Sequence, residues 1–323
     1  MNKPSVSIVI PCFNVGGTLS ETLDSIINQT YESWDAICID DGSTDNTWDV
    51  IIKYSDKYNN IRGIKRQCDN KGGSVCRNIG IKHATGEYII FLDGDDLLTP
   101  ICLENRVKSI DKTGFKFVVW PYGYYKDGIL GGNAIDYRIK NYLYAFAAGH
   151  AAWQTTSPIY STDFVRSIGG FDESFQRLQD VEFGLRAVFY SKNNFLVMNK
   201  ETIPDCCYRP NQKSNRNSKY RKALENYDKL SITVDKLEKE GLFNTQKKRK
   251  LTYTCLLLTA YQTGVMCNSY DLNINNLFPS VAVRERIGFT GHAIFYLLAK
   301  LKFLDNIELY MCRLIKRILF FSL

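Results

Sequence analysis

The sequence predicts an α/β fold: a mostly parallel sheet flanked by helices, with a mainly helical region after it. Three observations predict it. Short β-rich runs alternate with helix-patterned segments over the first two-thirds of the chain, the texture of βαβ units. Polar motifs follow the first, second and fourth of these runs, the edge at which ligands bind in such sheets. Beyond about Asn215 the alternation ends, so the expected division is an α/β domain over 1–215 and a helical region over 216–323.

The elements follow in order. Residues 5–10 (Ser-Val-Ser-Ile-Val-Ile) form the first run. Thr18-Leu-Ser-Glu21 reads as a capping box, in which hydroxyl and carboxylate each serve an orphan N–H at the helix start. Leu19, Leu23, Ile26 and Ile27 then share one helix face. Trp34 to Ile39 is the second strand, and Asp40-Asp41-Gly42-Ser43 turns into a helix through Val50, Ile51 and Tyr54. Ile61 to Lys65 is a short third strand. A helix from about Ser74 to His83 leads to the fourth strand, Tyr88 to Leu92. Further on, Tyr122, Tyr124 and Tyr125 mark a strand and Asp180 to Phe189 a helix. Lys219 to Lys239 reads as a charged helix and Leu251 to Val265 as an apolar one.

Composition narrows the function classes. A chain that is 45% hydrophobic and 23% charged is foldable and globular. No run approaches 18 apolar residues, so no spanning helix is expected, and residues 5–10 are too short for the core of a secretion signal. The ten cysteines show no C-x-x-C spacing, which argues against a structural zinc site. Cys12, Cys38, Cys76 and Cys255 sit in apolar runs, where a reduced thiol is a small hydrophobe, and the cytoplasm is the expected compartment. Charge is uneven: 23 Lys+Arg against 25 Asp+Glu over 1–215, then 18 against 9 over 216–323. Without zinc-finger spacing, an RNP-like motif or an Arg-rich arm, nucleic acid is not the expected partner of that basic segment; an anionic membrane face is.

The most informative stretch is Phe-Leu-Asp-Gly-Asp-Asp-Leu over 91–97. Carboxylates at Asp93 and Asp95, with Gly94 letting the backbone turn, can converge on one hard cation that completes its shell with phosphate oxygens and water. Asp-Gly clusters are also ordinary turn chemistry, so the plain alternative is an acidic turn before the next helix. Pro11–Asn14 and Asp40-Asp41 at neighbouring strand ends favour the first reading. A carboxylate there can accept from a nucleobase or ribose, and a cation can bridge a diphosphate. No G-x-G-x-x-G or G-x-x-x-x-G-K-[ST] is present, which disfavours a dinucleotide fold and a P-loop.

Ser-Ile-Val-Ile-Pro-Cys-Phe-Asn (7–14), Asp-Asp-Gly-Ser-Thr-Asp (40–45), Asn-Lys-Gly-Gly-Ser-Val-Cys-Arg-Asn (70–78) and Phe-Leu-Asp-Gly-Asp-Asp (91–96) resemble the signature blocks of family 2 glycosyltransferases. A later block, Gly169 to Phe175 through Gln179-Asp180-Val-Glu182, is similar to the family's acceptor-side segment. The resemblance covers roughly 4–210. It implies an inverting enzyme of the GT-A fold, of the bacterial surface-polysaccharide type, that uses Mn²⁺ or Mg²⁺ and a nucleotide-sugar donor, with a UDP-sugar favoured.

Carried over residue by residue, Pro11 and Asn14 lie in the loop under the nucleotide. Asp41 recognises the base while Asp40 braces the turn, and Asp45 caps the following helix. Arg77 lies beneath the diphosphate; a surface helix charge is its alternative. Asp93, Gly94 and Asp95 form the donor and metal turn, with Asp95 the direct ligand and Asp96 supporting or substituting. The family's usual Glu-Asp pair reads Gln179-Asp180 here, so Asp180 is the expected general base and Glu182 its alternative. Trp153, Gln154 and Glu182 are acceptor-side candidates, with plain core the other reading of Trp153. His150 reads as a structural histidine.

The acceptor implied is a glycan or lipid-linked glycan. Residues 293–323 place apolar residues at helical spacing, interrupted by Lys300, Lys302, Arg313, Lys316 and Arg317, a pattern suited to peripheral contact at the inner face of the membrane. Packing on the domain or in a dimer is the alternative. A sugar nucleotidyltransferase would need a Gly-rich, Arg-bearing first loop, which Pro11–Gly17 does not provide. A non-catalytic sugar-binding protein of the same fold has only the missing Glu in its favour.

Overall fold

The computed structural model describes residues 4–126, 129–132, 135, 137–208 and 216–266, with single positions at 294, 314, 315 and 319. The membrane-contact expectation for 293–323 therefore lies almost wholly outside the described residues. The chain divides into two compact units. The first comprises Met1–Tyr137, Trp153–Ser174 and Tyr190–Gln212, and the second Arg138–Ala152, Phe175–Phe189 and Lys213–Leu323.

The parallel α/β sheet expected from the alternation is present in the first unit. Its opening half runs β1 (Val6–Cys12), α1 (Leu19–Ile27), β2 (Trp34–Asp40), α2 (Thr47–Lys57), β3 (Ile61–Lys65), α3 (Gly73–His83) and β4 (Tyr88–Phe91). Next come β5 (Leu97–Leu98), α4 (Cys102–Ile110), β6 (Phe117–Val119), β7 (Tyr122–Lys126) and β8 (Ile129–Gly131). Beyond α5 (Tyr142–Ala147), which belongs to the second unit, lie β9 (Pro158–Ser161) and α6 (Thr162–Ser167). After α7 (Gln179–Ser191), β10 (Phe195–Val197) and β11 (Cys206–Tyr208) complete the sheets.

Among the described residues, seven strands form the main sheet in the order β10-β6-β9-β4-β1-β2-β3. β4, β1, β2 and β3 are mutually parallel, and β9 enters antiparallel to both β4 and β6. β1 is buried along nearly its whole length, as a central strand covered on both faces must be, which is why it reads as an apolar run broken only by Ser7. Each such Val or Ile withdrawn from water contributes on the order of 2 kcal/mol. α3 lies close over β1, where a Cβ on Gly80 would come within 2.2 Å of the Val9 side chain, so no larger residue fits. The chain builds outward from β1 to β2 and β3, then crosses to the other side of β1 for β4. That reversal opens a crevice at the carboxyl ends of β1 and β4, the position at which such sheets bind ligands.

One expectation fails at α1. Thr18 stands at its N-cap, but no side-chain cap bond forms. The hydroxyl instead donates to the carbonyls of Val15 and Gly94, both at 3.2 Å. The capping box is given up because a tertiary acceptor lies within reach.

In the second unit, α8 (Arg216–Lys239) and α9 (Gln246–Met266) carry the charged and apolar patterns expected there. Tyr144 and Ala148 cluster with Cys255 of α9. Tyr253 donates to Asp235 at 2.5 Å and Glu238 at 2.9 Å, joining α9 to α8. Among the described residues no helix is long and apolar enough to cross a membrane.

Candidate active site

Two loops after β1 and β2 are stitched to each other by side-chain bonds. The Asn14 carboxamide oxygen accepts the Thr44 N–H at 2.8 Å, while the Asn14 N–H donates to the Ser43 hydroxyl at 3.1 Å. Val15 donates to the Thr47 hydroxyl at 2.9 Å and Gly16 to the Asp45 carboxylate at 3.0 Å. Asn14 sits at φ 53°, a left-handed conformation that Asn tolerates better than most residues. Its side chain is spent on building the loop. Asp40, 3% exposed, braces the turn by accepting the Ser43 N–H at 3.2 Å. Asp45 accepts the Thr47 N–H at 3.0 Å, at the first residue of α2.

The Asp41 carboxylate faces two N–H donors. Arg66 Nε lies 2.5 Å from Oδ1, and the Gly72 N–H lies 2.8 Å from Oδ2. Gly72 takes φ 116°, open to glycine and strained for other residues, and this brings its N–H onto Asp41 at the start of α3.

The Asp93–Asp96 turn is held from behind. Thr18 at the N-cap of α1 and Thr22 within it both donate to the Gly94 carbonyl, at 3.2 and 3.1 Å. A Cβ on Gly94 would lie 3.0 Å from a Val15 methyl and 3.4 Å from the Pro11 carbonyl, so the turn closes against the loop after β1. Arg77 donates to Asp93 Oδ1 at 2.6 Å, and its guanidinium lies 5.3 Å from the centre of the Phe171 ring. Its residue is 5% exposed, which overturns the surface-charge reading: a helix that docks its face on the sheet carries Arg77 inward to a carboxylate. Beside it, Asn78 clamps Phe171, accepting its N–H and donating to its carbonyl, each at 2.8 Å.

Three carboxylates crowd this turn. Burial first, and then the charges of Asp93 and Asp95, push the Asp96 carboxyl well above its ordinary value, while a bond from Thr156 at 2.9 Å draws it down. Such crowding is what a divalent cation relieves. Among the described residues no group of three or more His, Cys, Asp or Glu side chains could cage a metal by itself. A donor set of two carboxylates fits instead a Mg²⁺ or Mn²⁺ that arrives with phosphate oxygens and keeps some of its waters. Asp93 and Asp95 are the residues that would hold it.

The acceptor-side candidates separate. Trp153 is 2% exposed, its ring 6.2 Å from Phe117 and 6.4 Å from Phe195. It is core, and a ring so enclosed has no face for a sugar. Gln154 is half-buried, and its carbonyl accepts the Ser157 N–H at 3.0 Å. Within the second unit, Glu182 is 2% exposed and meets Arg186 through both oxygens, at 2.5 and 2.7 Å. Both oxygens of this buried carboxylate are committed to its i+4 neighbour, which counts against Glu182 as base and as acceptor contact. Asp180 is half-buried in the first turn of α7, and its Oδ1 accepts the Val181 N–H at 3.0 Å.

Sequence reasoning missed the supporting residues Arg66, Thr18, Thr22 and Thr156. Arg66 had a signal, a cation directly after the third strand on the edge that carries the motifs. The threonines had none, because a hydroxyl's partner 50 or more positions away is not written in its neighbourhood.

Residues 7–165 match the family model described as Glycosyl transferase family 2. A poly(ribitol-phosphate) beta-glucosyltransferase of Bacillus spizizenii is 45% identical over 95 residues, 29% of this chain and 15% of that protein. The Escherichia coli protein named UDP-Glc:alpha-D-GlcNAc-diphosphoundecaprenol beta-1,3-glucosyltransferase WfgD is 34% identical over 135 residues, 42% of this chain and 50% of that one. The chain thus spans half or less of the length of these two relatives. Among solved structures, S. aureus TarS 1-349 in complex with UDP-GlcNAc superposes with a TM-score of 0.62 at 16% identity. The match covers 98% of this chain and 90% of that one, and at this identity it speaks for the shared GT-A fold.

Proposed function

We propose, from the match of residues 7–165 to glycosyl transferase family 2, that this chain moves a single sugar from a nucleotide-diphosphate sugar, a UDP-sugar by preference, to a hydroxyl of a glycan or lipid-linked glycan. The observation that carries the reading is the grouping of Asp41, Asp93, Asp95 and the buried Arg77 around adjoining strand ends of one sheet. The relatives support the donor and acceptor classes. WfgD is named for UDP-Glc and a lipid diphosphate, and TarS was crystallised with UDP-GlcNAc.

Asp41 reads the base: Arg66 and Gly72 fix its carboxylate after β2, and each oxygen keeps a further lone pair for a nucleobase N–H. Pro11 and Gly94 contribute backbone that closes the loop beneath the nucleotide, and Asn14 fixes that loop's shape. Asp93 and Asp95 would hold Mn²⁺ or Mg²⁺, and Arg77 sets the Asp93 carboxylate and adds positive charge beside the diphosphate. When bound, such a cation would offset the charge that grows on the β-phosphate as the glycosidic bond breaks.

Asp180 is the general base. It accepts the acceptor hydroxyl's proton as that oxygen attacks the anomeric carbon from the face opposite the leaving diphosphate. One displacement of this kind gives a β-linked product from an α-linked donor sugar. Gln154 borders the acceptor. The excess positive charge of 216–323 supports peripheral contact with an anionic membrane that carries the acceptor lipid.

The test is transfer from a panel of nucleotide sugars to lipid-linked glycan, with the new linkage read by NMR. A β-linked product from one α-linked donor is expected. An α-linked product would contradict inversion, and no transfer from any donor would contradict the function.

A further inference from the structure

Behind the Asp93–Asp96 turn runs a buried polar chain that the proposed reaction does not use. Arg106 of α4 is fully buried, and it donates through Nε and Nη2 to both oxygens of Asp205, at 2.9 and 2.7 Å. Its Nη1 donates to the Thr156 carbonyl at 2.8 Å. Thr156, 3% exposed, donates its hydroxyl to Asp96 Oδ2 at 2.9 Å. The Asp205 carbonyl accepts the Thr99 N–H at 2.9 Å, and β11 pairs antiparallel with β5, the short strand directly after Asp96. One guanidinium therefore fixes both the segment that reaches the turn from β9's side and the strand that the turn enters. A buried ion pair of this kind rarely adds net stability over apolar residues of the same volume. What it does supply is a rigid mount.

We propose that Thr156 is a positioning residue for the diphosphate turn: its hydroxyl engages the Asp96 carboxylate, so that Asp93 and Asp95 remain the coordinating pair, and the Arg106–Asp205 pair holds Thr156 in register. The assignment rests on the reading of this turn as a metal–diphosphate site. It gives the third carboxylate of the turn a role distinct from ligation.

The experiment is calorimetric titration of the full chain with UDP and with GDP, each with and without Mn²⁺, beside thermal unfolding of every variant. Wild type gains nucleotide affinity from Mn²⁺. Thr156→Val, close in shape but without the hydroxyl, is expected to lose about tenfold or more of that gain, the usual effect of removing a ligand's supporting partner. Its metal-free nucleotide affinity stays unchanged, and Thr156→Ser restores the gain. Asp96→Asn, whose carboxamide oxygen can still accept the hydroxyl, keeps most of the gain, whereas Asp95→Asn abolishes it. Should Thr156→Val fail to fold, the Asp96→Asn and Asp95→Asn pair decides. A full Mn²⁺ gain in Thr156→Val, or a loss in Asp96→Asn as complete as in Asp95→Asn, would overturn the positioning role alone. A wild-type protein that gains nothing from Mn²⁺ with either nucleotide would overturn the metal–diphosphate reading and this assignment with it.

Discussion

Arg77 donates to Asp93 across 2.6 Å while its guanidinium covers the Phe171 ring at 5.3 Å. One side chain of α3 thus joins the carboxylate turn after β4 to Phe171, and a charge on the helix becomes part of that turn.

Arg77→Lys keeps the charge but loses the planar fork that both bonds and stacks. Its donor KM is expected to rise about tenfold, roughly the worth of one charge-assisted hydrogen bond. Thermal unfolding checks that the variant folds. An unchanged donor KM would remove Arg77 from the donor site.

Two acidic residues in one helical turn should respond in opposite ways. Glu182→Gln breaks a buried ion pair with Arg186 and is expected to cost about 3 kcal/mol in urea unfolding, with kcat little changed. Asp180→Asn should leave the unfolding midpoint alone and lower kcat by about 100-fold or more, the scale of a lost general base. The reverse pattern would make Glu182 the base.

Asn78 matches both backbone groups of Phe171. Asn78→Ala leaves them without these bonds and should cost about 2 kcal/mol in chemical unfolding, together with a higher donor KM as Phe171 shifts under Arg77. A loss of stability with KM unchanged would restrict Asn78 to folding.

Asp45 offers a pH dependence. Loss of some hydration pushes its carboxyl up, but bonds from the Thr47 hydroxyl and from the Thr47 and Gly16 N–H groups outweigh that and leave it below its ordinary 3.8. A carboxyl depressed in the folded state adds stability that is complete above the unfolded value and is lost as pH falls through the folded one. Wild type should therefore lose melting temperature more steeply than Asp45→Asn as pH drops from about 4 to about 2.5. Parallel slopes would show that Asp45 is not bonded this way in solution. The effect is small, because Asp45 is exposed to solvent.

The sheet was legible because parallel strands buried on both faces write themselves as apolar runs, as Val6–Cys12 does, and because its ligand edge gathers polar residues after each strand. The four blocks that led to the family lie within that regular part. Supporting contacts were not legible. Thr18 looked like a helix cap, and only the fold brings the Gly94 carbonyl, 76 residues on, to its hydroxyl. Arg77 looked like any helix charge until α3 turned it inward. Trp153 could have been a sugar platform or core, and local sequence has no means to distinguish a ring on a surface from one beside Phe117 and Phe195. Nor does the sequence signal that Arg138–Ala152 and Phe175–Phe189 group with the C-terminal helices, since that grouping depends on contacts between distant positions, such as the Thr259 hydroxyl on the Ala148 carbonyl.

The central claim is that a cation held by Asp93 and Asp95 and a base at Asp180 transfer sugar from a nucleotide donor. Its most direct measurement is nucleoside-diphosphate release across a nucleotide-sugar panel, with acceptor present, in Mn²⁺, Mg²⁺ or EDTA, for wild type, Asp95→Ala and Asp180→Asn. The account predicts metal-dependent release from one donor, abolished in Asp95→Ala, and in Asp180→Asn lost while donor binding persists. Release that survives EDTA and Asp95→Ala, or that continues undiminished in Asp180→Asn, would contradict it.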